Sequence, residues 1–401
     1  MRNGSGGADN SVHASGIPDL KSLCIALALR CFDPKKGGLE SWTFQLAKQL
    51  LEWGHQVHVV AGEFGDHGLP VMEHRFEPHP LPSIEAQRIA EALQPLSADI
   101  THDAGSGYSV DVFQPHTGSR VLNLARDLRS LSWRARLRAT LSPASRRWRE
   151  DLRQTERRQL VSSRFVVAVS QSVADALRHL YGVAPERIAV VPNGVDTRRF
   201  TPAACARHRV ASRAEFGVID EVAFLVVAQN FRLKGLDATL AAVARLAGRG
   251  KPVKLLVAGG GPIDRYRRSL AGTAAAERVA FLGHCDAMER VYAAADVFVH
   301  PTFHDACSLA TLEALASGLP VITTIANGAA DGMVNGREGF VLQRAGDVAA
   351  LSEAMDALLD ADRRAACAAA AANVGQARSF AANCDGILAV YEKVLRQRSG
   401  R

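Results

Sequence analysis

The sequence predicts an α/β protein made of two doubly wound, Rossmann-like parallel-sheet domains that face each other across a cleft. Three observations predict it. A pattern of strand, basic loop, helix, glycine turn and second strand occurs twice, starting at Leu23 and at Val222. The strands of both copies are apolar on both faces, which requires helices on each side of a parallel sheet. Further strands alternate with helical stretches in both halves, such as residues 165–170 before 172–181 and 297–301 before 309–317. A chain of 401 residues has room for two or three such cores.

Taken in order, residues 1–20 are rich in Gly, Ser, Asn and Asp and lack the apolar centre of a signal peptide, so they read as a flexible tail. The first βαβ unit follows. In its helix Leu39, Trp42, Leu46, Leu50 and Trp53 recur at three- and four-residue intervals, which places them on one face for packing on a sheet. Nearly the same distance separates Gly37 from Gly62 here as separates Gly235 from Gly259 in the second copy. The boundary falls at the turn-forming run Val191-Pro192-Asn193-Gly194, so the first domain is expected over residues 21–193 and the second over 194–380. Residues 381–401 are expected to form a C-terminal helix that crosses back to the first domain. In such folds ligands sit at the carboxyl ends of the strands, so two facing sheets make a cleft lined by both sets of loops.

The composition narrows the function classes. With 48 basic and 41 acidic side chains the formal charge is +7, modest for a dedicated nucleic-acid binder of this length, and no nucleic-acid docking motif is present. Seven cysteines show no CxxC and no paired spacing, which argues against a zinc site or disulfide framework and for a reducing compartment. No apolar run approaches the roughly 20 residues that a membrane-crossing helix needs.

The residues suited to chemistry lie at strand ends. Gly37 and Gly38 follow a strand and open a helix, so backbone amides and the positive helix end can meet an anion without obstruction by a Cβ; a turn needed only for chain reversal has the same composition. A dinucleotide fingerprint is absent, because KKGGLES has no G-x-G-x-x-G spacing and Asp264 stands where the third glycine of the second half would be. This disfavours a nicotinamide oxidoreductase. Arg232 and Lys234, in AQNFRLKG, place two cations at a strand end, where they can neutralise a departing diphosphate or form a solvated basic turn. In HPTFHDACSLATLEALASGLPV, Asp305 is followed after seven residues by Glu313, with a helix start expected between them. A carboxylate in the first helical turn can accept two ribose hydroxyls, and the amides around Ala306, Cys307, Ser308 and Leu309 can face a sugar or phosphate. The plainer alternative makes Asp305 a helix cap and Glu313 part of a solvated face.

These segments resemble glycosyltransferase family 4, the retaining enzymes of GT-B fold, and within it the lipopolysaccharide-core glucosyltransferase branch. The resemblance rests on KKGG at 35–38, AVSQSVADAL at 168–177, PERIAVVPNGVDTRRF at 185–200, FRLKG at 231–235 and HPTFHDACSLATLEALASGLPV at 300–321, in the family's order and spacing over about residues 21–380. It implies that Arg232 and Lys234 hold the diphosphate of a nucleotide-sugar donor, a UDP-sugar, that Glu313 holds the ribose, and that Asp305 takes the position contacting the transferred sugar, where the family normally has Glu. The Gly37–Gly38 loop would meet the donor from the opposite wall. His102, after an expected strand at 98–101, resembles the family's histidine at the junction of sugar and acceptor, and His116 in PHTGS is the second candidate. Cys307 reads as a small residue that lets the backbone approach the sugar. Asp360 and Asp362 form a lone D-x-D in an alanine-rich stretch and read as a solvated face, so neither metal nor cofactor is expected.

Between Arg120 and Arg164 stand 13 arginines against four acids, interleaved with Leu122, Leu124, Leu128, Leu131, Trp133, Leu137 and Leu141. The rest of the chain is near neutral. A basic amphipathic helix with an exposed Trp suits anionic lipid headgroups, and the resembling branch contacts membrane through this part of its first domain. The expectation is therefore a metal-independent hexosyltransferase in the cytoplasm, peripheral on the inner face of the cytoplasmic membrane, with a lipid-linked or cell-envelope glycan acceptor. Alternatives are a sugar-nucleotide epimerase of the same fold and a catalytically silent sugar-nucleotide-binding protein.

Overall fold

The computed structural model describes residues 22–400 apart from 109, 131 and 132; the expected tail at 1–20 lies outside the described residues, as does Leu131. Two parallel sheets form. The first contains β1 (Cys24–Phe32), β2 (Gln56–Phe64), β3 (Met72–Arg75), β4 (Ile100–Asp103), β5 (Val112–Phe113), β6 (Phe165–Ala168) and β7 (Ile188–Val190), in spatial order β3-β2-β1-β4-β5-β6-β7. The second contains β8 (Val222–Val227), β9 (Val253–Ala258), β10 (Val279–Gly283), β11 (Val297–His300), β12 (Val321–Thr324) and β13 (Gly339–Leu342), in order β10-β9-β8-β11-β12-β13. In each sheet the order reverses beside the first strand, between β1 and β4 and between β8 and β11. Ligands are held at the carboxyl ends of strands at such reversals.

The helix Gly38–Glu52 buries Trp42, Leu46 and Leu50, three of the residues whose spacing predicts it, against Ile25, Leu27 and Val59 of β1 and β2. The helix Leu236–Ala247 does the same in the second domain with Leu240, Val243 and Leu246 against Phe224 and Leu255. Strand β4 runs two residues further than the expected 98–101, because His102 and Asp103 pair in register with Val112 and Phe113 of β5. His102 therefore lies within a strand and not after it. The arginine-rich stretch forms three helices, Arg120–Ser130, Trp133–Leu141 and Pro143–Ser162, rather than one. The third is capped by Ser142, whose hydroxyl accepts from Ser145 N, and Pro143 at its first position fits a helix start. Asp360 caps the helix Ala361–Ala377 by accepting from Arg363 N at 2.7 Å, so the D-x-D has a structural role at its first residue.

The last helix, Phe380–Arg398, packs Cys384, Ile387, Tyr391 and Val394 into the core of the first sheet, beside Ile25, Trp42 and Val191. Arg398 grips the buried Asp111 with one nitrogen, at 2.9 and 2.8 Å from the two carboxylate oxygens, and donates to Asp99 O. Where the chain passes between the sheets it is pinned to the start of this helix: Val195 N donates to Arg378 O and Phe380 N to Val195 O, both at 2.9 Å. A Cβ on Gly194 would stand 2.5 Å from Phe380 Cα and 2.7 Å from Ser379 O, both rigid backbone. Gly194→Val is therefore expected to destabilise the protein by about 1–3 kcal/mol, the usual cost of overpacking. Urea denaturation measures it, and an unchanged midpoint would contradict the close packing described.

Candidate functional site

The carboxyl ends of β1, β8 and β11, with the segment after β5, open onto a cleft of about 760 Å³ between the two sheets. Gly37, Gly38 and His116 line it from the first domain, and Lys234, Gly259, Gly260, His300, Asp305, Cys307, Ser308, Leu309 and Glu313 from the second. The two walls come close at Gly38, where a Cβ would lie 3.1 Å from Leu309 Cδ1 across the cleft. Polar contacts also bridge them: Asn193 Nδ2 donates to Cys307 O at 3.0 Å, Gln171 N to Asp331 Oδ2 at 2.6 Å, and His304 meets Thr117 O and the Arg126 guanidinium.

The cationic loop is built by local bonds. Lys234 N donates to Asn230 O, and Gly235 has φ 76°, a left-handed conformation in which a Cβ would lie 2.3 Å from Pro301 O. Phe303 N donates to Leu233 O, so the loop after β8 is stitched to the loop after β11. This brings Lys234 Nζ to 2.5 Å from Asp305 Oδ2, and His300 Nε2 lies 3.1 Å from the same oxygen. Burial alone would raise the Asp305 carboxyl, but Lys234 and His300 outweigh it and hold the group well below the usual carboxylate range. Asp305 is no helix cap. Its backbone bridges to Ala326 and Gly328, and Ser308 caps the helix Leu309–Ala316 by accepting from Thr311 N.

Glu313 lies in the second turn of that helix and reaches the cleft, with Oε2 accepting from the Tyr292 hydroxyl at 2.7 Å. Burial pushes its carboxyl up to about 7, and the Tyr292 bond and the charge of Arg199 pull in the other direction. Cys307 is buried and its thiol is pushed up to about 12 by that burial, which keeps it protonated and unreactive near neutrality.

The two candidate histidines separate. His116 lines the cleft with its ring 4.2 Å from that of Trp42. His102 lies under the cleft wall, 2% exposed, with Nδ1 2.7 Å from the hydroxyl of Tyr391 on the last helix. Burial lowers His102 to about 4 and His116 to about 3, so both are neutral imidazoles near pH 7. Asp103, on the opposite face of β4, accepts from the amides of Gly105, Ser106 and Gly107. Arg232 occupies the same turn as Lys234 and lies close enough to influence Tyr266, but neither it nor Ala306 is among the residues lining the cleft. Sequence reading missed His300, Asn193 and the wall formed by His284, Cys285 and Met288 after β10. His300 and Asn193 lie inside sequence motifs but read there as the end of an apolar strand and as part of a turn, and His284, Cys285 and Met288 carry no local signature.

Residues 36–199 match the family model described as Glycosyltransferase Family 4, and residues 221–361 match Glycosyl transferases group 1. The chain belongs to glycosyltransferase family 4. Its relatives include D-inositol 3-phosphate glycosyltransferases from Stackebrandtia nassauensis, 30% identical over 61% of this chain and 57% of the relative, and from Nocardia farcinica, 27% identical over 90% and 85%. This chain thus spans little more than half of the first of these. Among solved structures, WaaG, a glycosyltransferase involved in lipopolysaccharide biosynthesis, superposes with TM-score 0.74 at 20% identity over 94% of this chain and all of that one. Anabaena Alr3699/HepE in complex with UDP-glucose superposes with TM-score 0.67 at 17% identity, with the same coverage. The GT-B architecture expected from the sequence is the one observed.

The raised Glu313 carboxyl has a consequence for stability. A carboxyl raised in the folded state contributes fully below its unfolded value, near 4.5, and that contribution is lost as the pH rises through about 7. Glu313→Gln, neutral throughout, should therefore gain in Tm relative to the parent as pH rises from 4.5 to 8. Thermal unfolding across that range checks it, and a constant difference would count against a buried, protonatable Glu313.

Proposed function

We propose that the protein is a retaining hexosyltransferase moving a hexose from a UDP-sugar to a hydroxyl of a lipid-linked or cell-envelope glycan. The observation that carries this reading is the meeting of Lys234 and Asp305 at two strand ends, opposite the Gly37–Gly38 helix start. A diphosphate placed there lies against an ammonium and a helix N-terminus, both of which stabilise the negative charge that grows as the anomeric bond breaks. Arg232, on the same turn, adds positive potential. Glu313 accepts the ribose hydroxyls, and Asp305 holds the sugar.

The acceptor hydroxyl attacks on the face that the diphosphate leaves. The new glycosidic C–O bond forms as the anomeric bond to phosphate breaks, and the hydroxyl proton passes to the departing diphosphate oxygen. Asp305 orients the sugar in this scheme and forms no covalent bond. His116, at the cleft wall, stands at the junction of sugar and acceptor, and His102 supports the wall from beneath.

The membrane part of the reading rests on the helix Trp133–Leu141. Trp133, Leu137 and Leu141 recur every four residues and are 64%, 49% and 53% exposed, beside Arg134 and Arg138. Apolar side chains in that register form a stripe able to enter the headgroup region while the arginines meet anionic lipid. A polyol phosphate is the competing acceptor, favoured by the similarity to D-inositol 3-phosphate glycosyltransferases. The site of action would be the cytoplasmic side of a membrane; no helix among the described residues is long and apolar enough to cross one.

Lys234→Ala should lower kcat for transfer by roughly 10²–10³, in the range seen when a single charge-stabilising donor is removed. Near-parental transfer by that variant would overturn the assignment. In vesicle co-sedimentation, the parent should bind phosphatidylglycerol-containing vesicles better than neutral ones, and Trp133→Ser with Leu137→Ser should lose most of that binding. Equal binding to both vesicle types would leave the polyol phosphate as the better reading.

A further inference from the structure

Asp305 Oδ2 receives two donors that differ in what else they are needed for. Lys234 Nζ is one, at 2.5 Å, and the proposed donor diphosphate also requires that ammonium. His300 Nε2 is the other, at 3.1 Å, and its ring has no freedom to leave. His300 ends β11 in register with Thr323 of β12, and the Thr323 hydroxyl donates to His300 O at 2.8 Å. The ring is 1% exposed and stacks on Phe298 with centroids 5.8 Å apart and planes 15° apart.

The tautomer follows from these contacts. A neutral imidazole facing an ionised carboxylate carries its proton on the nitrogen that faces the oxygen, so Nε2 is the donor and Nδ1 the bare acceptor. Burial keeps the ring neutral by lowering its basicity. Nδ1 is itself buried with no hydrogen-bond partner among the described residues, so none of them draws the ring away from Asp305.

We infer that His300 is a positioning residue that holds the Asp305 carboxylate in place when Lys234 turns to the donor diphosphate, so that the second carboxylate oxygen stays aimed at the hexose. This rests on the donor reading proposed above. In the resting cleft the carboxylate has two anchors. In the loaded cleft the ammonium is shared with phosphate, and the strand-borne imidazole becomes the anchor that does not move. A short side chain such as Asp has only two rotatable bonds, and a fixed donor on one carboxylate oxygen restrains both and so limits where the other oxygen points. His300 touches no reacting atom in this scheme and acts through Asp305.

The experiment compares UDP with UDP-glucose by titration calorimetry on the full chain, together with kcat, for the parent, His300→Leu and His300→Gln. UDP has no hexose, so its affinity reports on Lys234, Glu313 and correct folding. His300→Leu should keep UDP affinity within about threefold, lose on the order of tenfold of the extra affinity for UDP-glucose over UDP, and lower kcat by a similar factor, the scale expected for one hydrogen bond to a charged group. His300→Gln, which restores an N–H donor, should recover most of both. His300→Leu with the parental UDP-glucose to UDP ratio and the parental kcat would overturn the inference. So would loss of UDP affinity equal to the loss for UDP-glucose in both variants, which would make His300 a general packing residue. Failure of the parent itself to bind UDP would overturn the donor reading first, and this inference with it.

Discussion

The second domain is organised around one carboxylate oxygen. Asp305 Oδ2 ties the cationic loop after β8 to the end of β11, and the backbone of Asp305 ties both to the segment after β12 through Ala326 and Gly328. Three strand ends are thereby fixed in relation to one charge. The side chains of Lys234 and Asp305 are 19% and 18% exposed, so the pair is well shielded from water but not sealed off. A pair in that setting exchanges partners without stranding a bare charge in a dry interior, which is strongly unfavourable. The site can therefore be ordered while empty and still yield its ammonium to an anion.

The first domain meets this centre through packing and polar contacts, among them the Arg126 guanidinium at His304. His116 rests on Trp42, Trp42 donates to Asn383 Oδ1, and Asn383 donates to Pro192 O at the crossing between the sheets. The next residue, Asn193, reaches the donor loop at Cys307 O. The orientation of a cleft-lining ring is thus linked by direct contacts to the segment about which the two domains would have to turn. The first-domain wall contributes the helix start at Gly38, the His116 ring and one cation, Lys35, whereas Lys234, Asp305 and Glu313 stand on the opposite wall.

The features legible in the sequence are those written locally. Apolar runs with a following glycine mark the βαβ units, and Lys234, Asp305 and Glu313 stand out because each lies a few residues from a strand end or within one helix. What the sequence did not disclose depends on distant pairing. From the sequence His102 reads as a loop residue after a strand ending at 101, whereas pairing with β5 extends that strand, and its Tyr391 partner is 289 residues away. The arginine-rich segment also reads differently once folded. Arg120 bonds to Gln159, Arg164 to Asp111, Arg149 to Thr140 O, and Arg158 lies over the Tyr108 ring. Two of these contacts brace the segment internally, and two, Arg164 on Asp111 and Arg158 on Tyr108, hold it to the rest of the first domain.

The return of the last helix to the first sheet bears on how the protein is made. Tyr391 and Val394 belong to the same core as Ile25, and Arg398 closes on Asp111, so that core lacks part of its filling until residues 380–398 have left the ribosome. The second domain draws its strands and covering helices from contiguous sequence, and its own core is filled once Cys367 and Ala371 have been made. Domains ordinarily mature from the N-terminus during synthesis. Here the sheet whose strands are made earliest keeps an apolar face in need of protection until the helix Phe380–Arg398 is made, after the second domain's own elements.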